Sequence, residues 1–137
     1  MNGNELRVGN LANTSEMSGY NYQICRQGII RTINNDSCNI TPIKCSSPVV
    51  TVKFKNIEPI PLTEEWLLKF GFDKVGEWMG IDFNPRMGMR FYNGNAAECD
   101  ITQDDKYIAF KCGFIQYVHQ LQNLYFALTG NELELKP

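Results

Sequence analysis

The sequence is short of histidine, of close cysteine pairs, of net charge and of long apolar runs, and each shortage closes a class of function. One histidine, His119, leaves no second imidazole for a paired acid–base or metal arrangement. A base also needs an acidic orienter and a nucleophile nearby, and neither sits at a telling spacing. The five cysteines, at 25, 38, 45, 99 and 112, include no Cys-x2-4-Cys pair, so the usual structural zinc pattern is missing. Their odd number does not suit a fully paired secreted scaffold. Net charge is −2, too weak to draw nucleic acid or an acidic membrane by field alone. No stretch of about 18 apolar residues offers a membrane span. "MNGNELRVGN" has no basic start followed by an apolar run, so it does not read as a signal peptide, and the cytoplasm is the expected location. Neither G-x-x-x-x-G-K nor G-x-G-x-x-G occurs to cradle a phosphate. Asp100, Asp104 and Asp105 lack the alternating oxygen ligands and central glycine of an EF-hand loop, and "TQDDKY" reads as a solvated turn. No catalytic, cofactor or metal residue is assigned.

What is present describes a small α+β protein. Its 137 residues suffice for one domain with a real core, or for two very small modules. "ELRVGNLA" at 5–12 reads as a first strand bent at Gly9 and Asn10. "YNYQICRQGIIRTI" alternates through Tyr20, Tyr22 and Ile24, with Gly28 as a break before "IIRTI". "NNDS" at 34–37 is a turn cluster. "VVTVKFKNI" at 49–57 sets Val50, Val52 and Phe54 against Thr51, Lys53 and Lys55. Short strands separated by turns predict a small antiparallel, β-barrel-like module over 1–59, because closure hides strand edges.

"EPIP" at 58–61 is the predicted join, since neither proline can donate to a ladder. Residues 60–137 are then expected to form an α+β module, or to continue a single domain. A helix near 63–70 has Thr63 as N-cap, Glu64 and Glu65 at its positive end, and Gly71 as the stop. Leu62 and Leu67 stand at hydrophobic-staple positions, and Trp66, Leu67 and Phe70 are the anchors. A three- or four-stranded antiparallel meander is expected next, with Met89 and Phe91 facing opposite to Arg90 and Tyr92. "ELEL" at 132–135 reads as a last edge strand.

The C-terminal helix, near 115–129, carries the stripe Val118, Leu121, Leu124, Tyr125 and Leu128, joined by Tyr117. On a helical wheel His119, Gln122, Asn123 and Phe126 fall on the opposite side. It is therefore read as a packing helix, with Phe126 on the far side covered by the protein's own chain or, if exposed, facing a partner or a second copy. Trp78, Arg86, Arg90 and Tyr92 could form a mixed aromatic and basic patch, which can stack bases and hold phosphates or form an ordinary protein contact. Arg26, Arg31, Lys53 and Lys55 add scattered positive charge to the first module. Cys99 and Cys112 could face each other across paired strands, as packing thiols in a reducing compartment.

The blocks "PIPLTEEWLLKFGF" and "YVHQLQNLYFALTG-EL", with the opening "NELRVGN", resemble a family of small uncharacterised proteins of Bacteroides-type gut bacteria, often encoded in prophages or mobile elements. The resemblance covers most of residues 56–135 and implies a context rather than a mechanism. It carries no catalytic residue to this chain. The functional expectation is a non-enzymatic binding or accessory protein, engaging a protein partner or a second copy through Phe126, Trp78 and Tyr92. The alternative is a nucleic-acid accessory protein using the basic first module and the Trp78/Arg86/Arg90/Tyr92 patch. An enzyme built on His119 with Asp100, Asp104 or Glu98 comes third.

Overall fold

The structure is a computed structural model and describes residues 3–15, 26–43, 48–92 and 95–137. The alternating stretch Tyr20–Cys25 and Cys45 lie outside the described residues. The chain divides into two compact units. Unit 1 is Met1–Ile60 with Tyr117–Leu124, and unit 2 is Pro61–Gln116 with Tyr125–Pro137.

Unit 1 is an antiparallel sheet. Its strands are β1 (Leu11–Thr14), β2 (Gln27–Ile33), β3 (Ser37–Pro42), β4 (Val50–Lys53) and β5 (Ile57–Glu58), in the order β4-β3-β2-β1-β5. The two end strands, β4 and β5, are joined by one 3-10 turn, Phe54–Asn56. Consecutive Cα atoms are about 3.8 Å apart, so the four links from Lys53 to Ile57 reach about 15 Å. A flat sheet would set the two strands four spacings apart, about 19 Å. The sheet therefore curls into a half-barrel, the barrel-like module that the turn-rich sequence predicts. Its core is Leu6, Ala12, Ile30, Cys38, Ile40, Val52 and Ile57. The "NNDS" turn closes the β2–β3 hairpin, with Asn34 N donating to Ser37 O at 2.8 Å.

Three local readings change. Residues 5–12 are not one strand: Gly3–Glu5 is a 3-10 turn, Gly9 has φ +95°, and pairing begins at Leu11. The long strand over 49–57 is interrupted by the same 3-10 turn that carries the chain from one end of the sheet to the other. Gly28 does not break β2. It pairs within it, and a Cβ there would collide with Ile40 Cγ2 and stand 2.9 Å from Thr41 O, so the residue permits close strand approach.

Unit 2 begins with α1 (Glu64–Lys69). Thr63 Oγ1 accepts from Trp66 N at 3.4 Å. At the other end Gly71, with φ +87°, lets Phe72 N donate to Leu67 O and Gly71 N to Leu68 O, the paired bonds of a Schellman stop. Leu62, Leu67, Trp66, Phe70 and Phe72 are all buried. A five-stranded antiparallel meander follows: β6 (Asp73–Val75), β7 (Trp78–Asn84), β8 (Met87–Tyr92), β9 (Ala96–Gln103) and β10 (Lys106–Phe114), in the order β10-β9-β8-β7-β6. The extra strand is β6, three residues long and too short to show alternation. "ELEL" forms no strand; Leu133 is buried and Lys136 N donates to Lys69 O at 2.7 Å.

The second helix, α2, is Val118–Thr129. It starts three residues later than the sequence predicts. Tyr117 N is turned back to donate to Gln120 Oε1 at 3.2 Å, one half of a capping box. Gly130, φ +73°, ends it. No helix among the described residues is long and apolar enough to cross a membrane.

Candidate interaction edge

The amides in the first turns of α2 hold the chain's N-terminal stretch. Gln122 Oε1 accepts from Leu11 N at 2.8 Å, and its Nε2 donates to Gly9 O at 3.3 Å. Asn123 Oδ1 accepts from Asn10 Nδ2 at 2.9 Å and Arg7 Nε at 3.3 Å, while its Nδ2 donates to Glu5 O at 3.1 Å. These side chains satisfy the backbone groups Glu5 O, Gly9 O and Leu11 N around the start of β1, which the pairing with β2 does not take up. His119 is buried, not outward-facing, with 1% of its surface exposed, and stacks on Tyr117 at 5.8 Å between ring centres. Burial lowers its pKa, and the charge of Glu5 offsets part of that. Neither ring nitrogen has a hydrogen-bond partner. The wheel reading of α2 is corrected accordingly: Val118, His119, Leu121 and Gln122 are all buried, because the chain's N-terminal stretch covers the polar side as well.

The aromatic and basic patch resolves into an ion-paired sheet face. Arg90 Nη2 donates to Asp82 Oδ1 at 2.6 Å, Nη1 lies 3.7 Å from Asp100 Oδ1, and Nη1 donates to the carbonyls of Ile81 and Met89 at 3.0 Å. The guanidinium lies 5.3 Å from the Trp78 ring centre, and Trp78 meets Tyr92 at 6.4 Å. Two glycines make room for it. A Cβ on Gly80 would stand 2.7 Å from Arg90 Cδ, and one on Gly88 would stand 2.6 Å from Arg90 Nη1. Burial opposes the Arg90 charge, but the bond to Asp82 and the charges of Asp100 and Asp82 outweigh it and raise its pKa. Asp82, Arg86, Arg90, Asp100 and Thr102 line a notch of about 280 Å³ in which two guanidinium groups stand with two carboxylates. Among the described residues no three His, Cys, Asp or Glu side chains gather into a metal set. Of the acids that a catalytic reading pairs with His119, Asp104 forms the β9–β10 turn with Asp105, Glu98 stands opposite Lys111, and Asp100 lies beside Arg90.

The opposite face of the same sheet is apolar and unevenly covered. Cross-strand register aligns Ile81, Met89, Cys99 and Phe110 in one row. Met89 and Cys99 are sealed, whereas Phe110 at the end of the row is exposed. Its neighbours on β10 are more open: Tyr107 is 64% exposed, Ile108 58% and Phe114 75%. Of the nine β10 residues eight are exposed, and Cys112 alone is half-buried. There, at a register shift between Lys111 and Gly113, its Sγ lies 2.8 Å from Cys99 Sγ. Of the three rings proposed as a contact surface, Tyr92 and Phe126 are each 38% exposed and Trp78 is half-buried.

Among the described residues β10 is also an edge strand, and its register tells which of its backbone groups no described strand takes up. Asp104 and Asp105, with φ +50° and +59°, form a two-residue turn between Gln103 and Lys106, the geometry of a tight hairpin. Gln103 and Lys106 are then a hydrogen-bonded pair, and the pattern alternates along the ladder. Lys106, Ile108 and Phe110 direct N–H and C=O toward β9. Tyr107, Ala109 and Lys111 direct theirs away from the sheet. The other end strands of the two sheets, β4, β5 and β6, have four, two and three residues against nine in β10. Protein edges are commonly blunted by brevity, charge, proline or a bulge. β10 has a lysine near each end and a bulge, but Tyr107–Phe110 carries no charge and no proline. The signal was present in the sequence as "KYIAFKC"; its alternation gave no sign that both faces stay open.

Comparison of the chain with protein-family models, curated proteins and solved structures found no match.

Proposed function

We propose that this chain is a non-enzymatic binding protein that receives an extended segment of a protein partner as an added strand on β10. The carrying observation is the nine-residue edge with outward backbone groups at Tyr107, Ala109 and Lys111 and exposed rings on either side. Strand addition draws affinity from main-chain bonds and specificity from alternating side chains. In keeping with the resemblance of "NELRVGN" and the two helical blocks to prophage and mobile-element proteins, the role is that of an accessory factor. Trp78, Tyr92 and Phe126 are secondary contacts in this reading. The nucleic-acid alternative draws less support, because Arg90 faces two carboxylates.

The test is a photo-crosslinking amino acid placed at Tyr107 and, as a control, at the exposed Lys55, in cells of the native host. Protein adducts from position 107 and none from 55 are expected. Adducts removed by nuclease, or no adduct at 107, would overturn the proposal.

A further inference from the structure

The β10 sequence is complementary to itself about Ala109, and from this we infer that the occupant of the edge is a second copy of the same chain. The inference rests on the strand-addition reading and names its partner. Two antiparallel copies related by a twofold axis must place one residue opposite itself. Only residues whose backbone groups point outward can form the doubly bonded pairs, here Tyr107, Ala109 and Lys111. With Ala109 on the axis, all three are used: Ala109 faces Ala109 of the second copy, and Tyr107 faces its Lys111 in both directions. Each pair exchanges both of its backbone bonds.

The side chains agree with this register. A methyl group on the axis leaves room where a large side chain would meet its own image. Ile108 falls opposite Phe110 of the second copy, on the apolar face that already holds Met89 and Cys99. Aromatic and β-branched residues form favourable cross-strand pairs. Tyr107 lies along the aliphatic stem of Lys111, whose own hairpin neighbour is Glu98. A Lys111-centred pairing would set like charges opposite each other, which is unfavourable. A Tyr107-centred pairing would run Ala109 into Asp105, inside the turn. Pairing stops at the bulge near Cys112 and Gly113, so the contact has a defined length. The product is one continuous sheet with β10 of each copy at its middle, and it removes the longest open edge among the described strands.

Sedimentation velocity on the purified full chain, across a wide concentration series, tests it. A monomer–dimer equilibrium is expected. Tyr107→Lys sets two lysines opposite each other at both ends of the register and is expected to weaken the dimer about tenfold or more. Tyr107→Glu sets a carboxylate opposite each lysine and should hold or tighten it. Ala109→Pro removes an outward N–H without touching a bond to β9 and should abolish it. Both Tyr107 variants change a side chain already in water, and circular dichroism confirms their fold. A monomer at every concentration overturns the inference. So does a dimer indifferent to Tyr107→Lys and Ala109→Pro. A monomeric chain that still cross-links a different protein from position 107 overturns the second copy while leaving strand addition standing.

Discussion

Replacing His119 by leucine should leave the protein at least as stable at neutral pH and make it more stable than the parent in mild acid. The imidazole is 1% exposed, and both nitrogens are without hydrogen-bond partners. An unsatisfied buried polar group costs about 1–3 kcal/mol, which leucine removes. Against that, the stacked contact with Tyr117 is lost, about 0.5–1.5 kcal/mol. At pH 7.5 the balance runs from about −0.5 to about +2.5 kcal/mol in favour of leucine. The acid side follows from linkage. Burial holds the folded pKa of His119 below the ordinary 6.5, so the unfolded chain takes up the proton first as pH falls. The neutral ring's contribution is complete above about pH 6.5 and drains away below it, by at most about 1.4 kcal/mol per pH unit, until the folded pKa is reached. The leucine variant lacks this slope, while the carboxylates act equally in both proteins. His119 belongs to unit 1, so the readout of this slope is taken from the core of that unit. Amide protection of Ile30 and Ile40 in the unit 1 core, read at pH 7.5, 6.5 and 5.5, reports it directly. Parallel pH slopes in the two proteins would refute the reasoning. A loss of about 3 kcal/mol or more at pH 7.5 would mean that the imidazole nitrogens have a partner.

Gln122→Leu should destabilise unit 1 by about 1–3 kcal/mol in denaturant titration, because Leu11 N–H is left buried and unpaired. Arg90→Met strands the buried Asp100 carboxylate and should cost about 3 kcal/mol, and adding Asp100→Leu should restore most of it, as a double-mutant cycle by chemical denaturation will show. Peptide-resolved alkylation at pH 8 should modify the partly exposed Cys112 before Cys38 and Cys99. Burial pushes the Cys38 thiol up to about 11, and burial, followed by the bond to Cys112, raises Cys99 further.

The elements legible in the sequence are those fixed by neighbouring residues. The α1 helix is declared by Thr63, by Glu64 and Glu65, and by Gly71, all within one short segment. The faces of β8 follow from the alternation of Met89 and Phe91 with Arg90 and Tyr92, and the structure buries the first pair. What was not legible depends on chain distant in sequence. A helical wheel supposes one covered side, so it placed His119 and Gln122 outward. It has no access to the Glu5–Leu11 stretch, which brings backbone groups to Gln122 and Asn123. Gly28 looked like a break because glycine weakens strands, yet its role is set by Ile40 on the neighbouring strand. The carboxylates beside the basic patch were hidden for a similar reason: Asp82 and Asp100 flank Arg90 only after β7, β8 and β9 pair. The open edge was the least visible feature, because "KYIAFKC" alternates whether or not its faces are covered.

The most direct test of the account is amide-resolved hydrogen exchange along β10 in dilute protein. Protection should alternate, with Ile108 and Phe110 slow and Tyr107, Ala109 and Lys111 fast, and the fast set should become slow as concentration rises. Uniform protection in dilute protein, or the opposite alternation, would show that β10 is not the free edge on which the proposed function depends.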